Sequence, residues 1–195
     1  MLLKTNKLMK AFGGLKAINK VDFELPANEI RGIIGPNGSG KSTFFNLVSG
    51  VYEPDPGSYI EFDGKDITNE PPHKVGELGL ARTFQLLRLY QDMSVINNVM
   101  SGYHTLVPYS FIDAVTGRKK IWDQEKIIKE EMMELLSFVG LADYAELNAS
   151  ELSGGQRQQV AVGRALMTQP KILMLDEPTA GVSPIVMDEL FDRII

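Results

Sequence analysis

A chain of 195 residues can bury one sizeable core, or one core with an inserted subdomain. Its net charge of −5 comes from mixed charged residues without a basic tract, so nucleic acid is not an expected partner. The absence of cysteine excludes disulfide staples and cysteine–zinc modules, and it leans toward a reducing compartment. Met1-Leu2-Leu3-Lys4 starts a strand-like segment, so no signal peptide is expected. No run approaches the roughly 18 apolar residues of a membrane span. The expectation is a soluble protein, or one that reaches a membrane only by docking to something else.

In chain order, Leu2 to Met9 and Val21 to Leu25 alternate as two strands, with Gly13-Gly14 at a turn between them. Phe12 stands just before that turn, where its ring can stack on a nucleotide base or pack inward as a hairpin aromatic. Ile30-Arg31-Gly32-Ile33-Ile34 reads as a buried strand, and Thr43 to Val48 as a helix with an apolar side. Between them, Gly35-Pro36-Asn37-Gly38-Ser39-Gly40-Lys41-Ser42 fits G-x-x-x-x-G-K-[ST], the phosphate-cradling loop of nucleoside triphosphatases. Glycines let the backbone curl so that its N–H groups converge on a polyphosphate, and the helix that follows adds its positive end. Lys41 can reach the β- and γ-phosphates, and the Ser42 hydroxyl can hold Mg²⁺.

Further on, Glu53 to Gly57 is a turn, Ser58 to Phe62 a short strand and Asp63-Gly64 a hairpin signal. Pro71-Pro72 opens a short helix ending near Gly79, and Leu80 to Phe84 is a strand with Gln85 at its end. Ligands collect at the carboxyl ends of parallel strands, so Gln85 can hold Mg²⁺ and orient water, or cap a loop. From Leu86 to Glu151 no strand is predicted. Ser94 caps a helix to Ser101, residues 102–120 are loop-like, and Trp122 to Val139 is an amphipathic helix with Ile128, Met132, Leu135, Leu136 and Val139 on one side. This stretch reads as a helical subdomain inserted into an α/β domain.

Ser153 and Gln156 form a capping box, so a helix starts there and runs to about Thr168. Gly154 and Gly155 in its first turn cost the helix roughly 1 kcal/mol each against alanine, yet they bare backbone N–H groups that can close on an anion. Lys171 to Glu177 is an apolar run of strand length ending in two acids, suited to a central parallel strand. On their own, Asp176 and Glu177 are a solvated strand end. Downstream of a phosphate loop, Asp176 can bind Mg²⁺ and Glu177 can take a proton from an attacking water. Pro178 to Pro184 is a loop, and Pro184 opens a last helix.

These ordered elements, GPNGSGKS (35–42), Gln85 after ARTF, LSGGQR (152–157) and ILMLDEP (172–178), resemble the ATP-binding cassette family over essentially the whole chain. The resemblance implies an α/β P-loop NTPase (RecA-like) core with an N-terminal antiparallel β subdomain and an inserted all-helical subdomain. Residues 1–85 and 152–195 would form the core and 86–151 the helical part. It implies ATP and Mg²⁺ as cofactors. Phe12 would stack on adenine, Gly35 to Thr43 would hold the phosphates, and Ser42, Gln85 and Asp176 would serve the metal. Glu177 would be the catalytic glutamate, with Lys41 and Gln85 assisting. In this family two cassettes sandwich two ATP molecules, so Ser153, Gly154, Gly155 and Gln156 would reach the γ-phosphate held by a second cassette, identical or not. Gly181 to Pro184 would be the loop that meets that partner.

Within the family, FGGLKAI (12–18), FFNLVSGVYEPDPG (44–57), the stretch 62–99 and AGVSP (180–184) look most like the ATPase subunits of bacterial branched-chain amino-acid importers. That implies a peripheral place on the cytoplasmic face of the inner membrane, with integral permease subunits docked through 86–151. Related cassettes serve urea, amides or lipopolysaccharide, and others act without a transporter, in DNA repair or on ribosomes. One departure stands out: the family's histidine after a further strand has no match, because His73 and His104 both precede Leu152 and the sequence stops at Ile195. The sequence therefore leads to the expectation of a partial cassette that lacks C-terminal strands of the core. Such a chain would keep the ATP–Mg²⁺ contacts, turn over poorly or act as a non-hydrolysing clamp, and be marginally stable at an open sheet edge.

Overall fold

The computed structural model describes residues 1–83, 89–103 and 130–176. Gln85, His104, most of the loop-like 102–120, the first part of the Trp122 helix and everything from Glu177 onward lie outside the described residues. The chain folds as two compact units, Met1–Leu80 and Ala81–Ile195.

In the first unit a four-stranded sheet has the order β2-β1-β3-β4. The hairpin of β1 (Leu3–Phe12) and β2 (Leu15–Leu25) turns at Gly13-Gly14, where the sequence places it, and both strands run longer than predicted. Their antiparallel register, from Leu3 opposite Leu25 to Phe12 opposite Leu15, slips three times. Lys7 and Lys20 take up that slippage at φ 47° and 55°, and the Lys7 N–H leaves the ladder to donate to Asp22 Oδ1 at 2.6 Å. β3 (Tyr59–Phe62) lies antiparallel to β1, and β4 (Lys65–Asp66) follows it through Asp63-Gly64. Both turn residues have positive φ, 49° and 75°, as a two-residue hairpin demands. α1 (Lys41–Val48) buries Phe44, Leu47 and Val48, and Phe44 meets Phe23 of β2 edge-on at 5.2 Å. With Leu8, Ile60, Phe62 and Val75 of α2 (Pro72–Glu77) these side chains make the core, each worth roughly 1.5–3 kcal/mol when fully buried. His73 is exposed on α2.

The predicted buried strand over Ile30 to Ile34 is not formed. Residues 29–36 have no regular structure, and Ile34 is 95% exposed. A strand exists only where neighbours complete its ladder of hydrogen bonds, and this segment joins neither sheet. An apolar run reports the side chains that a strand would bury, not the pairing that makes one.

β5 (Leu80–Thr83), all but its first residue in the second unit, pairs with β6 (Ile172–Leu175). Helices α3 (Val95–Met100), α4 (residues 130–138) and α5 (Gly154–Leu166) share one apolar cluster. Val99 of α3, Leu136 of α4, and Val160 and Val162 of α5 are completely buried in it, as are Leu141 and Ala149 between helices. The side of α4 read from its spacing is the buried one: Met132, Leu136 and Val139 are in the core and Leu135 packs partly against it. Two glycines set the contact of α3 with α5. Gly163 faces Val99 and Val139, and Gly102 lies against the carbonyl of Arg164. Between 89 and 151 the described residues contain no strand, only an isolated bridge from Ser94 to Asn148. Among the described residues no helix is long and apolar enough to cross a membrane.

Candidate functional site

The phosphate loop lies in the first unit. It turns at Asn37-Gly38, closed by the Ser39 N–H donating to Pro36 O at 3.2 Å, with φ 81° at Gly38 and 98° at Gly40. Gly40 has a second reason to be glycine. A Cβ there would stand 2.5 Å from Ala17 O and 3.0 Å from Ile18 Cδ1, so β2 forms a floor directly beneath the loop. A Cβ at Gly35 would sit 2.6 Å from Ser39 Oγ, so a side chain there would make that hydroxyl turn away.

α1 starts at once from Gly40, two residues earlier than the sequence suggested, and it has neither a side-chain cap nor an acid in its first turn. The amides of Lys41, Ser42 and Thr43 therefore present their hydrogens outward at the positive end of the helix. Lys41 folds back across the curl, its Nζ donating to Gly35 O at 2.7 Å and Pro36 O at 3.0 Å. Ser42 is exposed at the same mouth.

Phe12 closes β1 on the same hairpin that supplies the floor. Phe12 is 45% exposed and is not one of the buried core residues. Tyr52 meets it edge-on, with ring centroids 5.5 Å apart and planes at 75°, and Lys10 Nζ lies 5.7 Å from its centroid.

The second unit carries the other candidates. Asp176 follows β6 immediately and is 7% exposed. Its Oδ2 accepts from Arg82 Nη2 at 2.7 Å, an ion pair linking β5 to β6. Sequence reasoning passed over Arg82, although a charged residue inside Leu80-Ala81-Arg82-Thr83 is a signal that something must neutralise it. Ser153 and Gln156 cap each other as expected: Ser153 Oγ accepts from the Gln156 N–H at 3.3 Å, and Gln156 Oε1 from the Ser153 N–H at 2.9 Å. A hydroxyl that accepts still has its own hydrogen to give, and the Gly154 and Gly155 amides stand bare beside it. Gln85 and Glu177 lie outside the described residues.

The profile of the ABC transporter family matches residues 18–180. The chain belongs to that family. The cassette is 41% identical to the "Probable branched-chain amino acid transport ATP-binding protein LivG" of Archaeoglobus fulgidus, over all of this chain and 74% of the relative. It is 36% identical to the high-affinity branched-chain amino acid transport ATP-binding protein LivG of Escherichia coli, over 99% of this chain and 75% of that one. A solved structure described as an ATP-binding cassette of an ABC transporter superposes with a TM-score of 0.83 at 36% identity, over 99% of this chain and 75% of the other. The α/β P-loop NTPase expectation thus holds, with the antiparallel sheet and the helical packing both formed. The cassette is an ABC transporter ATPase subunit of a family that binds ATP.

The residues present fit that nucleotide. Two left-handed glycines, an uncapped helix start and a lysine folded over the curl make a cradle for a polyphosphate. No group of three or more acidic, histidine or cysteine side chains able to hold a metal occurs among the described residues.

Proposed function

We propose that this cassette hydrolyses ATP to drive a branched-chain amino-acid importer. The observation that carries the reading is the loop at 35–43, built for a polyphosphate, in a chain whose relatives are named for that transport. The amides of Gly38 to Thr43 and Lys41 Nζ bind the phosphates, and the Ser42 hydroxyl and the Asp176 carboxylate serve the metal. Bound Mg²⁺ supplies charge neutralisation on the phosphate oxygens. Gln85 orients the attacking water, and the Glu177 carboxylate takes its proton. Phe12 receives the base. Ser153, Gly154, Gly155 and Gln156 serve the γ-phosphate of a second cassette, where an uncapped pair of amides and a hydroxyl hydrogen suit an anion.

In this proposal residues 1–85 and 152–195 are the catalytic core. Residues 86–151 pass the motion to permease subunits at the cytoplasmic face of the inner membrane.

Lys41→Ala tests the reading. Removing a charge-assisted contact of this kind costs about 1.5–3 kcal/mol, so calorimetry should show ATP binding weakened by about 10- to 100-fold. Unchanged affinity would end the case for the loop. Leucine uptake by cells lacking their own importer ATPase, restored by the parent chain with its permease and not by Lys41→Ala, would establish the cargo. Uptake of another solute instead would reassign it.

A further inference from the structure

Phe12 sits at the tip of a hairpin, where a ring has rotamer freedom unless something holds it. Among the described residues the ring that meets it is Tyr52, edge-on at 5.5 Å. Tyr52 is itself tied down on both sides. Its N–H and that of Val51 donate to Asn46 O, at 3.1 and 2.8 Å, which fixes it to the last turn of α1, the helix that begins in the phosphate loop. The residues after it clasp the end of β1. The Asp55 N–H donates to Met9 O at 2.9 Å, the Ala11 N–H to Asp55 Oδ2 at 2.8 Å, and the Met9 N–H to Ser58 Oγ at 2.9 Å. Lys10 Nζ, over the Phe12 ring, donates to Glu53 O. Tyr52 thus stands between two anchored segments, one leading to the phosphate cradle and one to Phe12.

We propose that Tyr52 is a positioning residue for the nucleotide base. It presets the Phe12 ring and fixes its place relative to the helix that carries the phosphates. A ring ordered in advance spares the binding step the cost of freezing it, and the advantage is specific to ligands that have a base. The proposal rests on the reading of Phe12 as the base platform.

Calorimetry on the full chain with ATP and, separately, inorganic tripolyphosphate, at one Mg²⁺ concentration, tests it. Tyr52→Leu should weaken ATP by about 3- to 10-fold, the size of an aromatic pair, and leave tripolyphosphate unchanged. Tyr52→Phe, which keeps the ring, should restore the preference for ATP. The double variant Phe12→Leu/Tyr52→Leu should lose little beyond Phe12→Leu alone. Equal weakening of both ligands by Tyr52→Leu would mean a structural role and overturn the proposal. Unchanged ATP affinity in Tyr52→Leu, beside a weakened Phe12→Leu, would overturn it while leaving Phe12 in place. If Phe12→Leu keeps the full preference for ATP over tripolyphosphate, the base platform falls and the role of Tyr52 with it.

Discussion

Arg82 and Asp176 set opposite charges 2.7 Å apart, with side chains only 7% and 8% exposed. Such a pair does little net work for stability, because each charge gives up its water to make it. Breaking it is another matter, since the survivor is left buried and unmatched. Arg82→Met should destabilise the chain by about 3–5 kcal/mol in urea melts, whereas Arg82→Met combined with Asp176→Leu should cost distinctly less. If the single and double variants melt alike, charge matching is not what the arginine does. The two residues are 94 positions apart, so no sequence window shows them as partners. The lysine of the phosphate loop is the opposite case, since the Gly35 and Pro36 carbonyls it reaches are its near neighbours in sequence.

At the scale of elements, the legible features were those governed by spacing. The Ser153–Gln156 box, the Asp63-Gly64 hairpin and the buried side of α4 each depend on residues a turn or less apart. The bulges at Lys7 and Lys20 and the unpaired 30–34 segment were not legible. Both are decided by what lies alongside, which side-chain pattern does not encode.

The α3–α5 contact allows a sharp comparison of two glycines. A Cβ at Gly102 would collide with the Arg164 carbonyl, a backbone atom that cannot step aside, whereas at Gly163 the nearest atom is Val99 Cγ2 at 3.5 Å. Gly102→Ala should cost about 1–3 kcal/mol as overpacking. Gly163→Ala, in mid-helix, should be neutral or stabilise by up to about 1 kcal/mol. Thermal melts of the two variants check both signs.

The end of β4 adds a pH dependence. The Thr68 hydroxyl donates to Asp66 Oδ1 at 2.6 Å and its N–H at 2.9 Å, in that order of weight, which hold this carboxyl below its ordinary value. The stabilisation is complete above the ordinary carboxylate range and fades as pH falls through the lowered folded value. The melting difference between parent and Thr68→Val should therefore narrow below about pH 4. It should not vanish, because Thr68 Oγ1 also accepts from the Ile60 N–H at 2.9 Å whatever the pH. A difference that widens in acid would contradict this account.

Over the whole molecule, the candidate residues divide between the two units. Phe12 and the phosphate loop fall in Met1–Leu80, and Asp176 with the Ser153 helix in Ala81–Ile195. The motifs were legible one by one because each is a short local arrangement, but their division into units is a property of long-range contacts. The weakened binding expected of Lys41→Ala has a consequence at this scale. ATP at a hundred times its dissociation constant stabilises the folded state by about 2.7 kcal/mol. The parent should melt at a higher temperature in its presence, and the lysine variant at that same concentration should gain much less.

The strand beneath Gly40 leads to one last consequence. Ala17 and Ile18 underlie Gly40 of the phosphate loop, and Phe12, the proposed base platform, is on the other arm of that ribbon. Both extremities of the nucleotide would rest on a single hairpin. Disrupting it would release them together, so on warming the grip on the ligand should fail in one step.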